Sequence, residues 1–256
     1  MDIFVSTLLI SFAVQVLFFI LAASFKTDKV TDLSYGLTFL ILALYIFISH
    51  NSSYTYQMLI LLMVSAWSIR LVIYLFVRIL KIKKDKRFDG IREDFKKFVV
   101  FWTFQAITVW IIMLPSIYLL SSKSDKSISL MMILGIIVWF LGLTVETIAD
   151  RQKFQFKNNP KNRGKWIETG FWKYSRHPNY FGEITLWWGI FIFSIPFQSG
   201  TSWLTIVGPL FITFILIFVS GIPTLEKKYD ERYKKHDDYQ RYKERTSILI
   251  PFPIKK

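Results

Sequence analysis

Between residues 3 and 222 the chain alternates long, nearly charge-free apolar runs with polar or basic segments. That alternation leaves few folds open. Hydrocarbon offers no water to a backbone N–H or C=O, so a run of about 20 apolar residues can cross it only as a helix. Runs at about 3–25, 33–49, 54–79, 98–120 and 128–149 are of that order. From Ile184 to Leu225 there is no charge at all. This run is too long for one helix, and Pro196-Phe197-Gln198-Ser199-Gly200 supplies a turn that splits it into about 178–196 and 203–222. The expected fold is all-α, a multi-pass membrane bundle of about seven transmembrane helices. An apolar content of 53% and a mean hydropathy of +0.38 agree, since soluble domains average about 45–50% apolar.

Charge sets the expected orientation. The segments at 26–32, 81–97 and 151–176 and the tail from residue 226 hold 28 of the 32 lysines and arginines. Helix ends alternate sides, so these four fall together, which the positive-inside rule assigns to the cytosol. The amino end is then outside and the carboxyl end cytosolic. A net charge of +14 distributed this way speaks for anionic head groups rather than nucleic acid, for which no recognised module is present. With no cysteine, disulfides, thiolate catalysis and cysteine zinc sites are excluded. The three histidines lie in distant segments, and no metal site is expected. The first run follows a single Asp2 without a basic flank or a small-residue cleavage site, so it reads as a retained helix.

Chemistry concentrates in Tyr174-Ser175-Arg176-His177-Pro178-Asn179-Tyr180-Phe181-Gly182-Glu183. Pro178 suits the first turn of a helix. A helix starting there puts Asn179 and Glu183 on one face. Arg176 and His177 lie at its amino end, where free N–H groups and the helix dipole favour an anion. A phosphate-bearing cofactor is expected here.

Ionisable groups inside spans cost roughly 2.5–3.5 kcal/mol each and need partners or a wet cavity. Arg70, Tyr74 and Arg78 are spaced four and four on the third helix, forming one stripe. Glu146 and Asp150, also four apart, repel each other and call for a cation or a hydroxyl network between them. Arg87, Asp89 and Arg92 form a mixed-charge segment that suits a lip over phosphates or a solvated loop. Gln105 is a buried amide in need of hydrogen bonds. Glu226, Tyr229, Arg232 and Tyr233, with Tyr239 and Tyr242, read as a basic, tyrosine-rich amphipathic element on the membrane surface.

Taken together, Gly170 to Glu183, Arg87-Phe88-Asp89-Gly90-Ile91-Arg92, Phe101 to Ala106, Glu146 to Asp150, Tyr239 to Thr246 and Ile250-Pro251-Phe252 resemble the DUF1295 membrane family. That family is related to the steroid 5-alpha-reductases, and the resemblance runs from about Asp28 to Pro251. It implies an NADPH-dependent membrane oxidoreductase that delivers hydride to a carbon–carbon double bond of a lipid or sterol-like substrate. By position, Glu146, Asp150, Asn179 and Glu183 resemble cofactor-contacting positions of the reductases. Arg70 and Arg78 lie where the related helix is also basic. Arg87, Asp89, Arg92, Arg176, His177 and Tyr180 complete the expected cofactor set, and Tyr74 is the expected proton donor. The second helix, read as 33–49, lacks the acid that polarises the substrate carbonyl in the steroid reductases.

Arg176-His177-Pro178-Asn179-Tyr180-Phe181-Gly182, with Glu226 after the last helix, also resembles isoprenylcysteine and phospholipid methyltransferases. S-adenosylmethionine is therefore the alternative cofactor, and a non-catalytic lipid-binding protein is a third reading. The chain is expected to form a single integral membrane domain. Helices one to three occupy 1–80, helices four to seven with the cofactor region 98–222, and a cytosolic interfacial tail 223–256. Membrane lipids and a hydrophobic small molecule are the expected partners. The membrane is endoplasmic reticulum or bacterial inner membrane.

Overall fold

The computed structural model of the chain describes residues 2–25, 27–82 and 88–253. Seven helices among them are long and apolar enough to cross a membrane, and no strand is present among the described residues. The protein is thus an all-helical, multi-pass membrane protein. Its helices are α1 (Ile3–Ser24), α2 (Thr31–Ser49), α3 (Thr55–Ile82), α4 (Phe95–Ser121), α5 (Leu130–Asn158), α6 (Pro178–Ser194), α7 (Val207–Phe214), α8 (Ile222–Tyr233) and α9 (Asp237–Arg245). The chain groups into two compact units: Met1–Leu130 with Ser194–Gly208, and Met131–Phe193 with Pro209–Lys256.

The first unit packs α1 to α4. Its core is apolar, with Phe39, Leu42, Ile46, Ile60, Val64, Trp67, Ile112 and Met113 fully buried. A knot of amides and hydroxyls crosses it. Gln105 Nε2 donates to Gln15 Oε1 and Ser34 Oγ, both at 2.9 Å. Gln15 Nε2 in turn donates to Thr38 Oγ1 at 2.7 Å. The expected demand of Gln105 is met, because a buried amide without partners is costly. A Gln105→Leu variant, which strands these partners, should lose about 1–2 kcal/mol, read as a lower melting temperature in detergent. An unchanged melting temperature would remove the knot from the list of stabilising features. At the far end of α4, Gln57, Ser52 and Tyr56 donate to the carbonyls of Leu120 and Ser122. The last carbonyls of a helix otherwise lack N–H donors within it.

Two helix starts differ from the sequence reading. Asp94 accepts from the Lys97 N–H as an N-cap, so α4 begins at Phe95 rather than near 98. Helix α2 begins at Thr31, and so takes in Asp32. The second helix therefore does carry an acid, at its first turn, where it pairs with Arg78.

In the second unit, α5 and α6 run antiparallel in backbone contact. A Cβ on Gly142 would lie 2.5 Å from Leu186 N, and one on Gly182 would lie 2.5 Å from Glu146 N. Gly135 meets Phe193 and Gly189 meets Trp139 in the same manner. Small residues allow this approach, as is common where helices pack in membranes. Past α7 the path winds into a π-turn at Ile215–Val219 and breaks at Ser220–Gly221 before α8.

Helix α5 runs on to Asn158, nine residues beyond the expected end near 149. Its polar extension is held by the loop that follows: Gln152 Oε1 accepts from Phe171 N at 3.0 Å, and Lys153 lies 4.5 Å over the Trp172 ring.

Candidate cofactor-binding site

Helix α6 starts at Pro178, as the sequence reading expects. Three hydrogen bonds set the strand of chain leading into it. Ser175 Oγ accepts from His177 N and donates to Leu249 O, and Arg176 N donates to Ser247 O at 2.8 Å. The side chains of Arg176 and His177 are thereby turned inward. His177 is 1% exposed and stacks on Tyr180, with ring centroids 5.6 Å apart.

Both side chains end on one carboxylate. Glu226, at the second turn of α8, pairs with Arg176 Nη1 at 2.8 Å and accepts from His177 Nε2 at 2.8 Å. Beside Arg176 and Glu226 lies a small pocket of about 20 Å³ lined by Trp166, Ile167, Trp172, Arg176, Glu226, Tyr229, Tyr239 and Tyr242. The rings of Tyr233, Tyr239 and Tyr242 are buried, with Trp166 and Tyr229 against them. The tail tyrosines thus form the wall of a pocket, because Trp166 and Trp172 supply rings from the loop before α6. Tyr242 OH donates to Trp172 O at 2.8 Å, and burial raises both the Tyr239 and Tyr242 hydroxyls above their ordinary pKa. They remain donors at physiological pH.

Among the described residues, several polar atoms at this end are buried with no hydrogen-bond partner: Arg176 Nε and Nη1 (the latter in ionic contact with Glu226), His177 Nδ1, Asn179 Oδ1 and Trp166 Nε1. Buried polar atoms are normally satisfied. A cluster of orphans at one helix start marks a place where a polar ligand would complete the bonding. Asn179 and Glu183 follow on α6. The contact at Gly182 sets α6 directly against Glu146, which is 3% exposed, and Asp150 lies one turn further along α5 at 5%.

Burial holds the His177 imidazole below its ordinary pKa, against the opposing pull of its Glu226 hydrogen bond. The neutral ring with its proton on Nε2 explains a bare Nδ1. In the unfolded chain the group returns to about 6.5 and binds protons that the fold refuses. Its contribution to stability is therefore complete above that value and is lost as pH falls below it toward the depressed folded pKa. The melting temperature should rise from about pH 5 to pH 7, and a His177→Gln variant should show a shallower rise. Equal slopes would assign the titration to another group.

The remaining expected site residues belong to the first unit. Arg70 and Tyr74 are half-buried on α3. Arg78 is paired with Asp32. Arg92 is held by Asp28 at 2.7 Å, by Glu93 at 3.0 Å and by Asp89. Arg87 lies outside the described residues. Glu226 carries the larger surprise. The sequence reading placed it in a tail helix and in the methyltransferase resemblance, yet it is the residue on which Arg176 and His177 converge.

These features define a helical membrane protein with a polar, aromatic-walled site at the amino end of α6. A family profile described as "Protein of unknown function (DUF1295)" matches residues 18–246, and the chain belongs to that family. It is similar to 3-oxo-5-alpha-steroid 4-dehydrogenase 1 of Rattus norvegicus, with 24% identity over 120 residues. That match covers 47% of this chain and 41% of the relative, so the chain aligns with well under half of the relative's length. No solved structure matches the chain.

Proposed function

We propose that the protein is a membrane oxidoreductase that uses NADPH to reduce a carbon–carbon double bond of a lipid or sterol-like substrate. The observation that carries this reading is the set of polar groups collected where α5 meets the start of α6, together with similarity to a steroid dehydrogenase. The residues suit the cofactor. A dinucleotide phosphate needs a cation, acceptors for its ribose and carboxamide groups, and flat apolar walls. Arg176 supplies the cation, and Asn179, Glu183, Glu146 and Asp150 supply acceptors. Trp166, Trp172 and the tail tyrosines supply the walls. Tyr180, stacked on His177, fixes the imidazole.

When bound, the nicotinamide supplies hydride. The chain's own work is to bind, orient and protonate. Neutral His177 adds no charge, so Arg176 remains the local counter-charge. Tyr74 is the proposed proton donor, since a phenol can protonate an acceptor oxygen as charge develops there. Arg70, Arg78, Arg87, Asp89 and Arg92 are further candidates for phosphate contacts or their support. The basic segments on the cytosolic side would present the site to a soluble nucleotide.

A second reading, an S-adenosylmethionine-dependent methyltransferase, is favoured by one observation. Glu226 closes on Arg176 and His177, joining the very elements on which that resemblance rests. Thermal-shift titration of the detergent-purified protein separates the two. Stabilisation by NADPH with no response to S-adenosylhomocysteine is the expected outcome. The reverse pattern would replace the proposal with the methyltransferase. Loss of the NADPH response in Asn179→Ala and Glu183→Ala variants of normal stability would tie binding to this site.

A further inference from the structure

The carboxyl-terminal arm, from Ile222 to Ile250, does more than cover the pocket. It begins after the break at Ser220–Gly221 that ends the π-turn. Contacts with the segment before α6 hold it. Tyr233 OH donates to Lys165 O at 3.0 Å, Tyr242 OH to Trp172 O, and Ser175 Oγ to Leu249 O. Arg245 pairs with Glu168 at 3.0 Å on the surface. These bonds attach the arm through main-chain carbonyls or exposed charges. Glu226 differs. Its two oxygens reach two side chains of the site, one each, with side-chain exposures of 15% for Glu226, 12% for Arg176 and 1% for His177. Lys243, also on the arm, stands behind it, bound to Asp230 at 2.6 Å and 3.9 Å from Glu226.

A carboxylate with both oxygens engaged in this manner fixes two directions at once. Arg176 Nε and His177 Nδ1 are among the buried atoms without a hydrogen-bond partner, and both side chains carrying them end on Glu226. We propose that Glu226 is a positioning residue: from the carboxyl-terminal arm it orients Arg176 and His177 for the cofactor, so that a docked arm is a condition of binding. The proposal rests on the NADPH reading for the identity of the ligand, and on geometry alone for the orienting contact.

Glu226→Gln isolates the orienting role. The amide has the same shape but only one acceptor oxygen, so it can serve Arg176 or His177 and must turn an N–H toward the other. The tyrosine and serine bonds that dock the arm are untouched. The full chain in detergent is followed in three ways. These are trypsin cleavage within 227–245, diethyl pyrocarbonate labelling of His177 by mass spectrometry with His50 and His236 as internal references, and the Kd for NADPH.

For Glu226→Gln the expectation is arm cleavage close to wild type, His177 labelling faster by about fivefold, and Kd raised about tenfold. Glu226→Ala should show all three changes, including faster arm cleavage. Glu168→Ala, which removes only the surface pair, should match wild type in Kd and in labelling. His177 labelling and Kd both at wild-type values in Glu226→Gln would overturn the proposal. If wild type itself fails to bind NADPH, the functional reading falls. The labelling then decides the orienting contact alone, with a raised rate supporting it and an unchanged rate ending it.

Discussion

A Gly182→Leu variant is expected to yield no folded protein, and Gly182→Ala to lose about 1–3 kcal/mol of stability. The reason is contact between main chains. The added methyl of alanine would sit 2.5 Å from Glu146 N and 2.7 Å from Gly142 O. Neither neighbour is a flexible side-chain end, so the helices themselves must move apart. Leucine adds three more carbons in a space that is already closed. Gly142→Leu should fail in the same way, because its Cβ would meet Leu186 N and Gly182 O. Leu141→Ala is the matched control: Leu141 neighbours Gly142 but is 56% exposed toward lipid, and its loss should leave the melting temperature nearly unchanged. Wild-type yield and melting temperature for Gly182→Leu would show that α5 and α6 do not depend on this approach.

The second large effect falls on Arg176. Arg176→Ala should raise the Kd for NADPH by about a hundredfold and lower stability by about 2–3 kcal/mol. Two costs combine. The site loses its counter-charge for phosphate, and Glu226 keeps a largely desolvated carboxylate with only His177 and a Lys243 amine 3.9 Å away. Removing one partner of such a pair is worse than never having had it, since the survivor stays out of water. Arg176→Lys should restore most of the stability but little of the binding. The ammonium can approach Glu226, yet it lacks the planar fork that would let one group serve carboxylate and phosphate together. Equal binding by Arg176→Lys and wild type would reduce the role of Arg176 to bulk charge.

Much of the fold is legible along the chain because apolar runs report directly on burial in lipid. The seven spans fall where charge-free stretches of sufficient length occur, and Pro178 marks the start of α6 to the residue. Where polarity and helicity part company, the sequence misleads. The extension of α5 through Arg151, Lys153 and Lys157 looks like a loop in composition, yet it stays helical because Gln152 and Lys153 find partners 19 residues on. Helices α2 and α4 likewise begin before their apolar runs do. The tail tyrosines repeat at helical spacing, and spacing shows that they share a face without showing what covers it. The cover is Trp166 and Trp172, about 60 to 75 residues upstream of them. Glu226 was hidden for the same reason. A lone acid just past a span resembles an interfacial charge until the partners from residues 176 and 177 are seen beside it.

The two glycines on α5 and the two on α6 are each seven residues apart, which along a helix is about 10.5 Å. Rods touching at one point can pivot about it. Rods pinned at two points can neither pivot nor slide without opening both contacts. Helix α6 is thus bolted to α5 in angle and in height by atoms that carry no charge and no chemistry. Glu146, Asp150, Asn179 and Glu183 inherit that alignment. The register of that row follows from where glycine lets backbone meet backbone, a constraint that does not titrate.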